Sequence, residues 1–166
     1  MRQFSAHQND QQLVTVSLET SSGTKKLQIQ KGEILRSAML RRGSSPHNGR
    51  SRLINCRGLG TCGTCAVEIQ PSGDNGNNGR GVVEPNERNT KEKIRLNFPP
   101  HGSSDRSANL RLACQVQVMD DITIRKRTGF WGQGTTSELA KEYDAELWFG
   151  ELEYVLDNKS PQRGEE

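Results

Sequence analysis

Aromatic residues are scarce in this 166-residue chain: two tryptophans, two tyrosines and four phenylalanines amount to 5%. Hydrophobic residues of all kinds reach only 31%, and the mean hydropathy is −0.82. The apolar core is therefore small for the length, and part of the chain reads as loop or arm. No stretch approaches the roughly 18–20 apolar residues of a transmembrane span, and no apolar signal-peptide core is visible. The opening residues, MRQFSAHQNDQQ, are polar, and residues 1–11 read as a flexible arm. There is no nucleophile–base set and no phosphate-binding loop, which argues against an independent enzyme. Acidic residues are missing altogether from Ile34 to Val67, where six arginines stand: Arg36, Arg41, Arg42, Arg50, Arg52 and Arg57. No aromatic residue is interleaved with them, so a stacking platform for nucleic acid is not indicated.

Cysteine is rare too, but its four copies are unevenly placed. Cys56, Cys62 and Cys65 lie within NCRGLGTCGTCAVEI, and Cys114 stands alone in LRLACQ. Three chemistries remain open for four such thiols. Disulfides need only an even count. Zinc favours two short pairs that each form a knuckle, whereas here a triplet faces a singleton. A [2Fe–2S] cluster takes three thiolates from one loop and a fourth from elsewhere. Gly58, Gly60 and Gly63 favour the last, because they let backbone N–H groups curl toward inorganic sulfide. Thr61 and Thr64 add hydroxyl donors, which stabilise the more negative reduced state and raise the potential. His7, His47 and His101 lie in polar loops and read as solvated side chains, and the NKS at 158–160 carries no weight without secretion.

The flanking pattern is that of a mixed domain. LVTVSLE (13–19) and KKLQIQ (25–30) alternate apolar and polar residues around TSSGT, an antiparallel hairpin. GEILRSAMLRRG (32–43) places Ile34, Leu35, Ala38 and Met39 at helical spacing and stops at Gly43. TCAVEIQP (64–71) reads as a strand, and NERNTKEKIRLNF (86–98) as a short helix capped by Asn86. LRLACQVQVMDDITIRK (110–126) reads as a strand pair or one bent strand. SGDNGNNGRG (72–81) and HGSSDRSAN (101–109) are low-complexity polar loops.

CRGLGTCGTCAVEI and RLACQVQV resemble the cluster motifs of [2Fe–2S] ferredoxin-like proteins with the β-grasp fold, over roughly residues 12–127. The resemblance implies an α+β, β-grasp ferredoxin-like domain holding one [2Fe–2S] cluster on Cys56, Cys62, Cys65 and Cys114. It implies one-electron transfer between protein redox partners rather than catalysis on a small substrate. The alternative is a ferredoxin-like subunit of a larger photosynthetic or respiratory complex, membrane-associated, whose cluster does not shuttle or is structural. The Cys56-x5-Cys62 gap is that of the adrenodoxin-like branch, while GTCAVEI and RLACQ are plastid-like in style. By that style the expected location is the chloroplast, in the stroma or at the thylakoid, with the mitochondrial matrix as the alternative.

Charge and aromatics mark two further features. The arginines beside the cysteine loop (Arg41, Arg42, Arg50, Arg52 and Arg57) are candidate docking residues for partners with an acidic face. Residues 137–166 hold nine acids against three bases. SELAKEYDAELWFG reads as a helix capped by Ser137 and stopped at Gly150, with Leu139, Tyr143 and Leu147 on one stripe. Residues 128–166 thus form an acidic, aromatic C-terminal extension, helical in part. Trp148 within it is a candidate docking residue, since tryptophan is enriched at interfaces.

Overall fold

The computed structural model describes residues 12–72, 81–101, 109–134 and 138–144. The chain is mixed α+β, with a sheet at its centre. β1 (Leu13–Thr20) and β2 (Gly23–Gln30) form the expected antiparallel hairpin, paired from Leu13–Gln30 to Thr20–Gly23. The alternation is obeyed: Val14, Val16, Leu18 and Thr20 are buried on one face of β1, and Leu27 and Ile29 on β2. α1 (Leu35–Arg41) follows and ends where Gly43 adopts a φ of 75°. Its buried Leu35, Ala38 and Met39 join the core.

β3 (Ala66–Pro71), β5 (Leu110–Leu112) and β7 (Ile122–Arg125) complete a five-stranded sheet in the order β2-β1-β7-β3-β5. β7 lies parallel to β1 and antiparallel to β3. A two-stranded sheet pairs β4 (Val83–Glu84) with β6 (Gln117–Val118). β3 is an interior strand between β7 and β5, and its Ala66, Val67, Glu68 and Ile69 are all buried. The buried Glu68 is matched by Arg127, whose Nε and Nη2 donate to its two carboxylate oxygens at 3.0 and 2.5 Å.

α2 (Thr90–Asn97) is capped by Asn89, not by Asn86 as the sequence suggested. The Asn89 side chain accepts from the Glu92 N–H at 2.9 Å, and Glu92 accepts from the Asn89 N–H at 3.1 Å. This reciprocal capping box requires Glu three residues after the cap, and Asn86 is followed at that distance by Asn89. The stretch 110–126 is neither one strand nor a simple pair: a 3-10 turn at Ala113–Gln115 separates β5 from β6, and β7 follows after Asp121. That turn carries Cys114 and packs on α1.

The helix expected over 137–150 is absent from its described part. Residues 138–144 run extended and bridge Arg127 to Leu139 and Ser44 to Asp144. Their backbone groups are taken by other segments: Ala140 N–H donates to Lys126 O at 2.7 Å, Ser21 N–H to Ala140 O at 2.9 Å, and Ser45 N–H to Tyr143 O at 2.8 Å. A helix would have to give up these bonds. Ser137, Leu147, Trp148 and Gly150 lie outside the described residues, as do residues 1–11, most of both polar loops, and the segment 158–160.

Lys126 is buried under this segment. Its Nζ donates to Ser45 O at 2.7 Å and His47 O at 3.1 Å, and lies 5.3 Å from the Tyr143 ring centre. Burial pushes it down to about 7, with Arg52 adding and Glu142 opposing. An unfolded lysine keeps its proton to about 10.4. Between these values the unfolded chain binds the extra proton, so stability should rise with pH over that window and fall as pH drops toward 7. In Lys126→Met the rise should flatten, read as melting temperature against pH for both proteins. Parallel slopes would mean that Lys126 does not titrate there.

Candidate metal centre

The cysteine loop is shaped by residues with positive φ. Arg57, Gly58, Gly60 and Gly63 have φ of 53°, 97°, 80° and 74°. A side chain on Gly60 would meet Gln115 at 2.9 Å, and one on Gly63 would meet Arg95 at 2.8 Å. Glycine is favoured at both positions by the positive φ, and a Cβ there would also have to push aside the Gln115 and Arg95 side chains.

The four thiols fall into two pairs. Cys62 Sγ lies 3.3 Å from Cys56 Sγ, and Cys65 Sγ lies 3.4 Å from Cys114 Sγ. The first pair is half-buried and the second buried. Among the described residues no group of three or more Cys, His, Asp or Glu side chains converges on a point that would hold one ion. A single tetrahedral ion needs all four sulfurs equidistant at about 2.3 Å. Two pairs instead suit two metal atoms with two thiolates each. Within each pair one sulfur is held down by the other's S–H: Cys56 to about 3 by Cys62, and Cys114 by Cys65. Their donors Cys62 and Cys65 are raised in turn, first by that hydrogen bond and then by burial. The pairs lie within electrostatic reach, since charge on Cys56 raises Cys114 and charge on Cys62 raises Cys65.

Of the two threonines, Thr64 Oγ1 lies 3.1 Å from Cys62 Sγ, and Thr61 adds to the lowering of Cys56, after Cys62. His47 and His101, expected in solvent, are instead 2% and 1% exposed. His47 Nδ1 meets Thr64 Oγ1 at 3.0 Å, and His101 Nε2 meets Gly63 O at 3.2 Å. Burial first, then Arg36 and Lys126, push His47 down to about 3, so it is neutral. As a neutral ring it can donate from Nδ1 to Thr64, which frees the Thr64 O–H for the Cys62 sulfur.

Sequence reasoning also missed the wiring from α2. Gln115 Nε2 donates to Gly58 O at 3.2 Å and to Cys114 Sγ at 3.4 Å, while its Oε1 accepts from Asn89 Nδ2 at 3.1 Å. The helix cap therefore holds both halves of the ligand set. Asn89-Thr-Lys-Glu92 was readable as a capping box, but nothing local says that Gln115 reaches it.

The arginines of the acid-free stretch sit in different surroundings. Arg41 and Arg42 both pair with Glu33. Arg36 is buried and donates to Asn55 Oδ1 at 3.4 Å. Arg52 lies 5.2 Å over the Tyr143 ring and donates to Asp144 O at 3.1 Å. Arg57 donates to Leu53 O at 3.3 Å. Arg50 is exposed. Glu33 stands one residue before the acid-free stretch, so a count begun at Ile34 misses it. No helix among the described residues is long and apolar enough to cross a membrane.

No protein-family model matches the chain. A curated protein, the photosynthetic NDH subunit of subcomplex B 3, chloroplastic, of Arabidopsis thaliana, is 35% identical over 88 residues, 52% of this chain and 35% of that protein. The chain thus spans about a third of that relative's length. Among solved structures, a ferredoxin reductase in carbazole 1,9a-dioxygenase superposes with a TM-score of 0.41 over 78% of this chain and 30% of that one, at 19% identity, a likeness too slight to bear on fold or function.

Proposed function

We propose that this chain is a [2Fe–2S] subunit of a larger redox complex of the chloroplast, ligated by Cys56, Cys62, Cys65 and Cys114 on a β-grasp domain. The carrying observation is the pairwise arrangement of the thiols, Cys56 with Cys62 and Cys65 with Cys114. It supports two irons with two thiolates each. The strand order β2-β1-β7-β3-β5, with β1 and β7 parallel, supports the β-grasp reading. The likeness to a chloroplast photosynthetic NDH subunit supports a complex of that kind. The cluster would supply reversible one-electron chemistry and no bond-making at a small substrate. The protein's part is to hold four sulfurs, aim N–H and O–H donors at them, and bury the Cys65–Cys114 side.

A free electron carrier is the second reading. It is favoured by the half-buried state of Cys56 and Cys62, which leaves one side of the site within reach of a partner. Iron and sulfide analysis of anaerobically purified protein tests the cluster, and stoichiometric zinc without iron would overturn it. Fractionation of native extract separates the two readings. Migration wholly within a large complex is expected, and migration wholly as a small protein would leave the free carrier.

A further inference from the structure

Six large hydrophobic side chains are exposed among the described residues, and five lie on the cysteine loop, the turn before it or α2: Leu53, Ile54, Leu59, Ile94 and Phe98. On α2 the inward residues are Glu92 and Leu96. Lys91, Ile94 and Arg95 fall at i, i+3 and i+4, one stripe of the helix, and Phe98 follows them at its C-cap. That stripe borders the cysteine loop, because Lys91 lies over Gly60 and Arg95 over Gly63. An open groove continues it, lined by Ile54, Cys56, Cys62, Arg95, Phe130 and Trp131 among others, with no acidic residue. Phe130 and Trp131 pack edge to face at 4.6 Å in its wall.

An amphipathic helix normally turns its isoleucine and phenylalanine inward. Here they face solvent at 59% and 61% exposure, and Leu59 in the cysteine loop is 64% exposed. Exposed apolar side chains together with aromatic and arginine side chains have the composition of an interface core. Lys91 and Arg95 are the charged residues of α2 that lie against the cysteine loop, and Arg95 is the charged residue of the groove lining. The α2 carboxylate, Glu92, is turned inward and engaged by Arg111.

We propose that the face formed by Ile54, Leu59, the Lys91–Ile94–Arg95 stripe and Phe98 docks a protein whose surface is apolar at its centre and carboxylate-bearing at its rim. It refines the partner expected from sequence: the contact centres on α2 and the loop, not on Arg41 and Arg42. It rests on the [2Fe–2S] reading in one respect only, that the docked partner would sit on the Cys56–Cys62 side and share its electron path.

The test is binding of the immobilised full-length chain to two small redox proteins, an acidic flavodoxin and a basic cytochrome c, by surface plasmon resonance. The flavodoxin should bind in preference to the cytochrome, and raising the salt should lower its association rate by about tenfold or more. The triple variant Lys91→Glu, Ile94→Glu, Phe98→Glu should lose that binding while keeping its melting temperature, since all three side chains are exposed. Equal binding of both probes, tighter binding of cytochrome c, or an unaffected triple variant would overturn the proposal. So would a dimer in sedimentation that the variant abolishes, because the occupant would then be a second copy. Binding that emerges only on deleting residues 145–166 would overturn it as well, leaving this chain's own acidic segment as the occupant. Iron and sulfide analysis on the same sample keeps the two readings apart. A chain without cluster that still selects the acidic probe retains the docking face and removes the cluster, and a loaded chain indifferent to probe charge does the reverse.

Discussion

On the proposed [2Fe–2S] reading, serine in place of Cys62 or Cys114 is expected to reduce the bound iron to background and to erase the cluster's visible absorption and reduced-state EPR signal. Each substitution removes one sulfur from a different pair, so each leaves one metal position with a single thiolate. A serine hydroxyl stays protonated near neutral pH and is a poor ligand for soft metal chemistry. The two variants should differ in their secondary effect. Cys62 is half-buried, whereas Cys114 lies in the 3-10 turn against α1, with Gln115 donating to its sulfur. The shorter C–O bond of Cys114→Ser would draw the acceptor away from the buried Cys65 thiol and the Gln115 amide, each 3.4 Å from the Cys114 sulfur, so the melting temperature should fall further for this variant than for Cys62→Ser. A normal reducible spectrum in either variant would overturn the four-thiolate set.

Glu92→Leu is expected to be the most destabilising substitution outside the cysteines. Glu92 is 0% exposed and takes four hydrogen bonds. Oε1 accepts from Arg111 Nε at 2.9 Å and from Leu112 N–H at 3.0 Å. Oε2 accepts from Arg111 Nη2 at 2.9 Å and from the Asn89 N–H at 3.1 Å. Removing one partner of a buried pair strands the other, at a cost of about 3–5 kcal/mol. For a chain of this size that lowers the melting temperature by about 10 °C. Leu112 is two residues from Cys114, and Asn89 holds Gln115, so the loss should also loosen the Cys65–Cys114 side. A faster release of iron to a chelator would report that. Glu92→Gln keeps the shape and part of the bonding and should fall between the two. A melting temperature unchanged in Glu92→Leu would mean that the pair contributes nothing net to the fold.

Short-range sequence was enough for the local parts of this fold. Period-two alternation marks the β1–β2 hairpin, because one buried face demands it. Helical spacing with Gly43 marks α1, because glycine alone takes that φ without strain. The grouping of Cys56, Cys62 and Cys65 in one loop with positive-φ glycines was legible because residue spacing and loop conformation are written at short range. Whatever depends on residues far apart came only with folding. Cys65 and Cys114 are 49 positions apart, and the pairing of β3 with β5, Ala66 opposite Leu112, is what places their sulfurs at 3.4 Å. His47 and His101 sit in polar stretches, yet the sheet and the cysteine loop close over them, so composition gave the wrong environment. Arg41 and Arg42 read as free positive charge until α1 brought them back onto Glu33. Residues 138–144 have a helical pattern, but backbone bonds to Lys126, Ser21 and Ser45 outweigh it, since propensity is worth tenths of a kcal/mol per residue and tertiary contacts override it. Which face of α2 turns inward was likewise decided by the tertiary structure: Leu96 and Glu92, the latter paired with the buried Arg111, point in, and Ile94 and the C-cap Phe98 stay in solvent.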